Sequence, residues 1–276
     1  MIWLRSASFA VLALSWTIAL SLLYLPLLLA PRRVMQRAAA LWSRGLLKLL
    51  GVCCGLRWRV IGRENLPEGA VVIASKHQSA WDTLIFHVLV EDPVFVLNRE
   101  LLRIPFVGWY MRKAGSIAVD RAAGFRAIKG ILPKVQRALA DGGQVIVFPE
   151  GTRTGPGQRQ PYHPGIAAIY AHAKAPVVPV ALNSGTFWSR RRFVKFPGLI
   201  TLRILPAMPR GMPRSAFMEE LEWRIEVATE RLRAEVAEAR LGSPHHLAPL
   251  APSPHGEGRD EGSSNGPATA GRRTGA

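Results

Sequence analysis

The stretch Ala70-Val71-Val72-Ile73-Ala74-Ser75-Lys76-His77-Gln78-Ser79-Ala80-Trp81-Asp82 opens apolar and breaks at once into polar residues. Five apolar residues followed by a histidine read as a buried strand that ends in an imidazole. Open α/β sheets place ligands at the carboxyl edge of their strands. Asp82 lies five residues beyond His77, and on one ideal helix that step separates two side chains by about 140°. The two therefore meet only if His77 stands outside the helix and Asp82 in its first turn. Ser79-x-x-Asp82 is a capping-box pattern that predicts a helix starting at Ser79. A carboxylate that holds an imidazole in one tautomer makes it a general base towards a hydroxyl. The competing reading is that Asp82 only caps the helix and His77 is a loop histidine.

Outward from this strand, further apolar or β-branched runs occur at Trp58–Ile61, Val94–Leu97, Ile117–Val119, Val145–Phe148, Val177–Leu182 and Ile200–Leu205. Helix-like stretches fall between or after them at Ala80–Glu91, Ala122–Ala140, Pro164–Lys174 and Ser215–Arg240. This alternation predicts a single α/β domain over 56–241, with a mostly parallel, twisted central sheet flanked by helices. Two prolines, Pro176 and Pro179, demote the Val177–Leu182 run to an edge or bulged position. Beyond Leu241 the chain turns to Gly, Pro, Ser and His, so 242–276 reads as a disordered tail.

Residues 1–55 read as membrane-associated helices. Ala7 to Ala30 carries no charge and is long enough to cross a hydrocarbon core of about 30 Å; Pro26 is a candidate kink. Arginines flank it on both sides, and the sidedness rule leans towards a domain facing the cytoplasm from the inner membrane. An in-plane or re-entrant course is the alternative. Over 34–50, Arg37, Arg44 and Lys48 align on one helical stripe, with Met35, Trp42, Leu46 and Leu49 opposite. That pattern predicts a basic amphipathic helix lying in the membrane interface, or else one docked on the domain core.

The charge agrees with an anionic partner. The chain carries 36 Lys and Arg against 19 Asp and Glu, a net +17. No acid precedes Glu64 or falls between Glu150 and Glu219. Phospholipid is favoured over nucleic acid, for which no reading motif is present. The two cysteines, Cys53 and Cys54, are adjacent in an apolar setting and read as reduced packing residues.

A second polar break, Phe148-Pro149-Glu150-Gly151-Thr152-Arg153, also follows a buried strand. Gly151 permits close backbone approach, Thr152 and Arg153 donate, and an arginine matches a phosphate with paired hydrogen bonds. Glu150 is placed to accept a hydroxyl or to fix the arginine. A turn carrying a solvated Glu150–Arg153 pair is the alternative. A third stretch, Asn98 to Arg121, carries helix-breaking Pro105 and Gly108 among apolar residues, and ends at Asp120-Arg121 with a second guanidinium. It suits either the wall of a lipid groove or core packing.

Together with the proline-bearing strand, these blocks resemble the glycerolipid acyltransferase family, especially lysophosphatidate (1-acylglycerol-3-phosphate) acyltransferases, over Trp58 to Ser184 in the family's order. The resemblance implies that His77 is the base and Asp82 its orienting partner. It implies that Arg121, Glu150, Gly151, Thr152 and Arg153 bind the acceptor's glycerol phosphate, and that the proline-bearing strand helps form the donor side. Lys76 stands where many members have asparagine, and Arg99 where lysine is common; both leave acceptor preference open. The implied partners are membrane phospholipid, a lysophospholipid acceptor, and an acyl thioester on coenzyme A or acyl carrier protein, without cofactor or metal. A neutral imidazole is needed, so the rate should fall below the reference imidazole pKa of about 6.5. Rival readings are metal-assisted hydrolysis by His77, Asp82 and Glu150, transfer to another lysolipid such as a lyso-ornithine lipid, and non-catalytic binding of anionic lipid.

Overall fold

The computed structural model describes residues 1–120 and 125–241. Arg121 and the 242–276 tail lie outside them. Seven strands form one sheet: β1 (Leu56–Ile61), β2 (Val71–Ser75), β3 (Pro93–Asn98), β4 (Ile117–Val119), β5 (Gln144–Val147), β6 (Val177–Leu182) and β7 (Gly198–Ile204). Their spatial order is β1-β7-β6-β2-β5-β3-β4. Every neighbouring pair is parallel except β6 and β7. This is the mostly parallel α/β domain that the alternation of runs predicts.

Strand periodicity sorts the core into two layers. Val71 and Ile73 of β2, Ile146 of β5, and Val178 and Val180 of β6 face one layer, with Trp81 and Phe86. Val72 and Ala74, Val145 and Val147, and Val177 face the other, with Ile166, Ile169, Phe217, Leu221 and Ile225. Helices α2 (Arg32–Cys54) and α3 (Trp81–Leu89) supply the first layer; α5 (Phe125–Ala140), α6 (Gly165–His172) and α7 (Arg214–Leu241) supply the second, α1 being Ile2–Leu23 and α4 Val107–Lys113. Both faces of the central strands are thus covered, which is why β2, β5 and β6 read as unbroken apolar runs.

The expected edge position for the proline-bearing strand is wrong. β6 lies between β7 and β2 and is buried along its whole length. Its carbonyls serve both sides: Pro176 and Val180 accept from Val72 and Lys76, while Pro179 accepts from Leu205. Pro179 sits at the last rung beside β7, since the β6–β7 register begins at Val180 opposite Ile204. Its missing N–H therefore costs a single terminal bond, and the interior of the ladder is intact.

The third stretch is not core throughout. A 3₁₀ turn, Arg99–Arg103, leads through Pro105 and Phe106 into α4. Phe106 has φ 60° and ψ −63°, the centre of a γ-turn closed by Val107 N–H donating to the Pro105 carbonyl, a conformation rare for a bulky residue. Leu101, Ile104, Val107 and Trp109 remain exposed.

At the amino terminus the uncharged run is not one helix. Pro26 lies in a 3₁₀ turn, Leu25–Leu28, that ends α1 and reverses the chain into α2. The hairpin closes because Gly45 leaves room for Trp16; a Cβ there would stand 2.5 Å from the indole. Trp16 Nε1 donates to the Trp42 carbonyl, and Trp42 Nε1 to Thr17 Oγ1. The apolar face of α2, including Met35, Leu46, Leu47 and Leu50, is buried, and the last three belong to the core layer that holds Trp81. The reading of α2 as a helix with that face in lipid is therefore replaced by the docked alternative: the core of the same domain offered a ready partner for the stripe. α1 differs, with Leu4, Val11, Leu14 and Ile18 exposed along its length. Its 22 residues span about 33 Å, enough by length and composition to cross a bilayer.

Candidate functional site

β2, β5 and β6 are adjacent and end at the same edge, so the segments after Ser75, Val147 and Leu182 come together. His77 Nδ1 lies 2.9 Å from Asp82 Oδ2. A carboxylate can only accept, so the ring proton belongs on Nδ1 and leaves Nε2 with a lone pair. The Nε2 atom has no hydrogen-bond partner among the described residues, and the side chain keeps 12% exposure. One flat side of the imidazole stacks on Phe148, with ring centroids 4.0 Å apart.

Asp82 is fully buried and heavily bonded. Its Oδ2 also accepts from the backbone N–H of Gln78 at 2.6 Å and Ser79 at 2.8 Å. The other oxygen accepts from Ser184 Oγ at 2.5 Å. The carboxylate thus bonds the backbone N–H groups ahead of α3 and holds the imidazole at once, so the reading in which it only caps the helix does not hold. α3 begins at Trp81, two residues later than the capping pattern predicts, with Ser79 Oγ accepting from Trp81 N.

Glu150 departs from the sequence reading. It is buried and does not pair with Arg153. Oε1 lies 2.6 Å from Lys76 Nζ and accepts from Thr154 Oγ1, while Oε2 accepts from the His77 backbone N–H at 2.8 Å. With 2% exposure and both oxygens bonded within the protein, it is not presented to a substrate hydroxyl. Nor does it converge with the His77 ring and Asp82 as a metal ligand. Burial pushes its carboxyl above the ordinary value, opposed by the Lys76 charge and by hydrogen bonds from Lys76, Thr154 and His77. The solvated Glu150–Arg153 pair is absent for the same reason.

Arg153 is half-buried. Burial lowers its pKa, the Asp82 charge raises it, and Arg190 lowers it again, so this guanidinium is in electrostatic reach of the His77–Asp82 pair. Arg190 donates to the Arg153 carbonyl at 3.3 Å, bringing a second cation to the loop. Gly151 and Thr152 share the turn and are half-exposed.

Sequence reasoning missed Ser184, Gln78, Thr154 and Arg190. Ser184 follows the very strand whose prolines argued for the edge, in the polar triplet Asn183-Ser184-Gly185 after a buried run. The same signal, a polar break at a strand end, singled out His77 and Glu150.

The chain belongs to the acyltransferase family, whose model matches residues 57–183, the span that carries the carboxylate-held histidine at the strand ends. It is 37% identical over 196 residues to the 1-acyl-sn-glycerol-3-phosphate acyltransferase of Pseudomonas aeruginosa, covering 71% of this chain and 76% of that protein. Identity to the corresponding alpha enzyme of Mus musculus is 32% over 196 residues, covering 69% and 68%. The crystal structure of PlsC, the 1-acyl-sn-glycerophosphate acyltransferase of Thermotoga maritima, shares the fold. Its TM-score is 0.68 at 22% identity, over 85% of this chain and the whole of that one.

Proposed function

We propose that this enzyme transfers an acyl chain from an acyl thioester to the free hydroxyl of lysophosphatidate, giving phosphatidate. The observation that carries the reading is the 2.9 Å contact of His77 Nδ1 with buried Asp82, which leaves Nε2 to receive a proton. The acceptor hydroxyl gives its proton to Nε2 as its oxygen bonds to the thioester carbonyl carbon. The tetrahedral intermediate then collapses, the C–S bond breaks, and the imidazolium returns the proton to the departing thiolate. Asp82 fixes the tautomer and balances the imidazolium. No acyl-enzyme and no cofactor is required; coenzyme A or acyl carrier protein bears the donor.

Arg153, with Gly151 and Thr152, receives the acceptor phosphate, and by family resemblance Arg121 joins it. Glu150 holds the His77 backbone in place. Residues 1–55 associate with the inner membrane through the exposed apolar side of α1, and the domain over 56–241 works on the cytoplasmic surface. The named relatives and the half-buried guanidinium in electrostatic reach of Asp82 support the acceptor, and the long exposed apolar helix α1 supports the membrane placement.

The test is incubation of membranes containing the protein with labelled acyl-CoA and a panel of lysolipids, with the product identified by mass. Phosphatidate as the main product is expected. An acylated lyso-ornithine lipid in its place overturns the acceptor, and salt-sensitive binding to anionic vesicles without any transfer overturns the enzymatic reading.

A further inference from the structure

Strand alternation continues past the end of β2 and sends neighbouring side chains to opposite sides of the sheet. His77 goes to the layer of Phe148; Lys76, with 1% exposure, goes to the layer of α7. Its ammonium has two carboxylates, Glu150 Oε1 at 2.6 Å and Glu226 Oε1 of α7 at 2.7 Å. The same Glu226 oxygen accepts from Tyr162 Oη at 2.9 Å. Burial, then the charges of Glu226 and Glu150, push the Tyr162 hydroxyl well above its usual range, so it stays a neutral donor. Glu150 in turn accepts the His77 N–H, and Thr154, bonded to Glu150, donates its N–H to the His77 carbonyl at 2.8 Å. Both backbone polar groups of the histidine are therefore held from this cluster.

We propose that Lys76, Glu226 and Tyr162 are positioning residues for acyl transfer, which hold Glu150 in the orientation that fixes the His77 backbone and so tie the imidazole to α7. The proposal rests on the reading of His77 as the base. None of the three side chains contacts the imidazole ring, so their effect passes through Glu150. Two buried carboxylates facing one ammonium make the arrangement charge-dependent. Removing the ammonium leaves like charges opposed, and they are relieved only by protonation or by swinging apart. Either change loosens the His77 N–H, and removing Glu226's charge as well relieves the repulsion.

The experiment compares Lys76→Met, Glu226→Gln, Tyr162→Phe and the Lys76→Met/Glu226→Gln double variant with the wild-type full chain in detergent. Thermal unfolding is followed alongside. Lys76→Met is expected to lose about tenfold or more in kcat with KM for both substrates within about twofold, and the near-isosteric Glu226→Gln and Tyr162→Phe about threefold. Adding Glu226→Gln to Lys76→Met is expected to raise kcat again, a sign reversal that loss of packing alone does not produce. A double variant slower than Lys76→Met, or losses confined to KM, overturns the proposal. If Lys76→Met does not fold, the two near-isosteric variants decide: wild-type kcat in both overturns it. His77→Ala runs in parallel; full activity there removes the base itself, whereas a dead His77→Ala with no charge-dependent rescue removes only this inference.

Discussion

Ser184 donates its hydroxyl hydrogen to Asp82 Oδ1 at 2.5 Å, tying the end of β6 to the first turn of α3 across 102 residues of sequence. The two oxygens of Asp82 divide their work: Oδ2 takes the imidazole and two backbone N–H groups, and Oδ1 takes the serine. Ser184→Ala leaves a buried carboxylate oxygen without its donor, a loss of about 1–3 kcal/mol for a charged partner. We expect kcat to drop roughly tenfold with KM little changed, measured as initial rates of acyl transfer. An unchanged rate means that the Oδ2 bonds suffice to aim the carboxylate.

The Arg153 guanidinium is half-buried against an opposite charge at Asp82 and a like charge at Arg190. Such a cation is poised for an added anion. Arg153→Ala should raise KM for lysophosphatidate by about tenfold or more, with a smaller effect on kcat. Arg153→Lys should fall between, because an ammonium cannot offer the paired bonds of a guanidinium. The check is acceptor-saturation kinetics with and without the phosphate group; equal losses on both acceptors would assign Arg153 a structural role.

The layers of the fold were readable from one sequence because buried parallel strands are continuous apolar runs, and all seven runs became strands. Strand order was not readable. Nothing local to Val177–Leu182 reveals that it lies beside β2, so its prolines pointed to an edge and Ser184 was passed over. Glu150 misled for a related reason. Its neighbour in sequence, Arg153, suggested the pair, whereas its actual partner Lys76 is contributed by the adjacent strand. The amphipathic stripe of α2 was visible, but a stripe does not say whether lipid or protein covers it.

His87 offers a stability test outside the site. Its ring packs against Phe95 with centroids 4.9 Å apart, and burial lowers its pKa to about 4. A histidine depressed in the folded state takes up its proton preferentially when unfolded. Its contribution is complete above the unfolded value of about 6.5 and is lost as pH falls towards the folded value. The window is worth up to about 3 kcal/mol. His87→Phe should flatten the decline in urea midpoint between those two pH values; an undiminished acid slope in the variant places the titrating group elsewhere.

Gly108 sits where a Cβ would approach the Leu102 carbonyl oxygen at 2.2 Å, so the turn from the 3₁₀ segment into α4 closes only on hydrogen. Gly108→Ala must push the backbone at Leu102 aside, and we expect a loss of more than about 1 kcal/mol, or a fall in Tm of about 2–4 °C per kcal/mol. Thermal unfolding of the detergent-solubilised protein reads this directly. A Tm equal to wild type means that the segment yields without cost.

The most direct measurement is acyl transfer by purified His77→Ala with acyl-CoA and lysophosphatidate, alongside a thermal unfolding curve. The account predicts a fall in turnover of about a thousandfold or more with unfolding unchanged, since the group proposed to take the proton of the attacking hydroxyl has been removed. A folded His77→Ala protein that makes phosphatidate at close to the wild-type rate contradicts it.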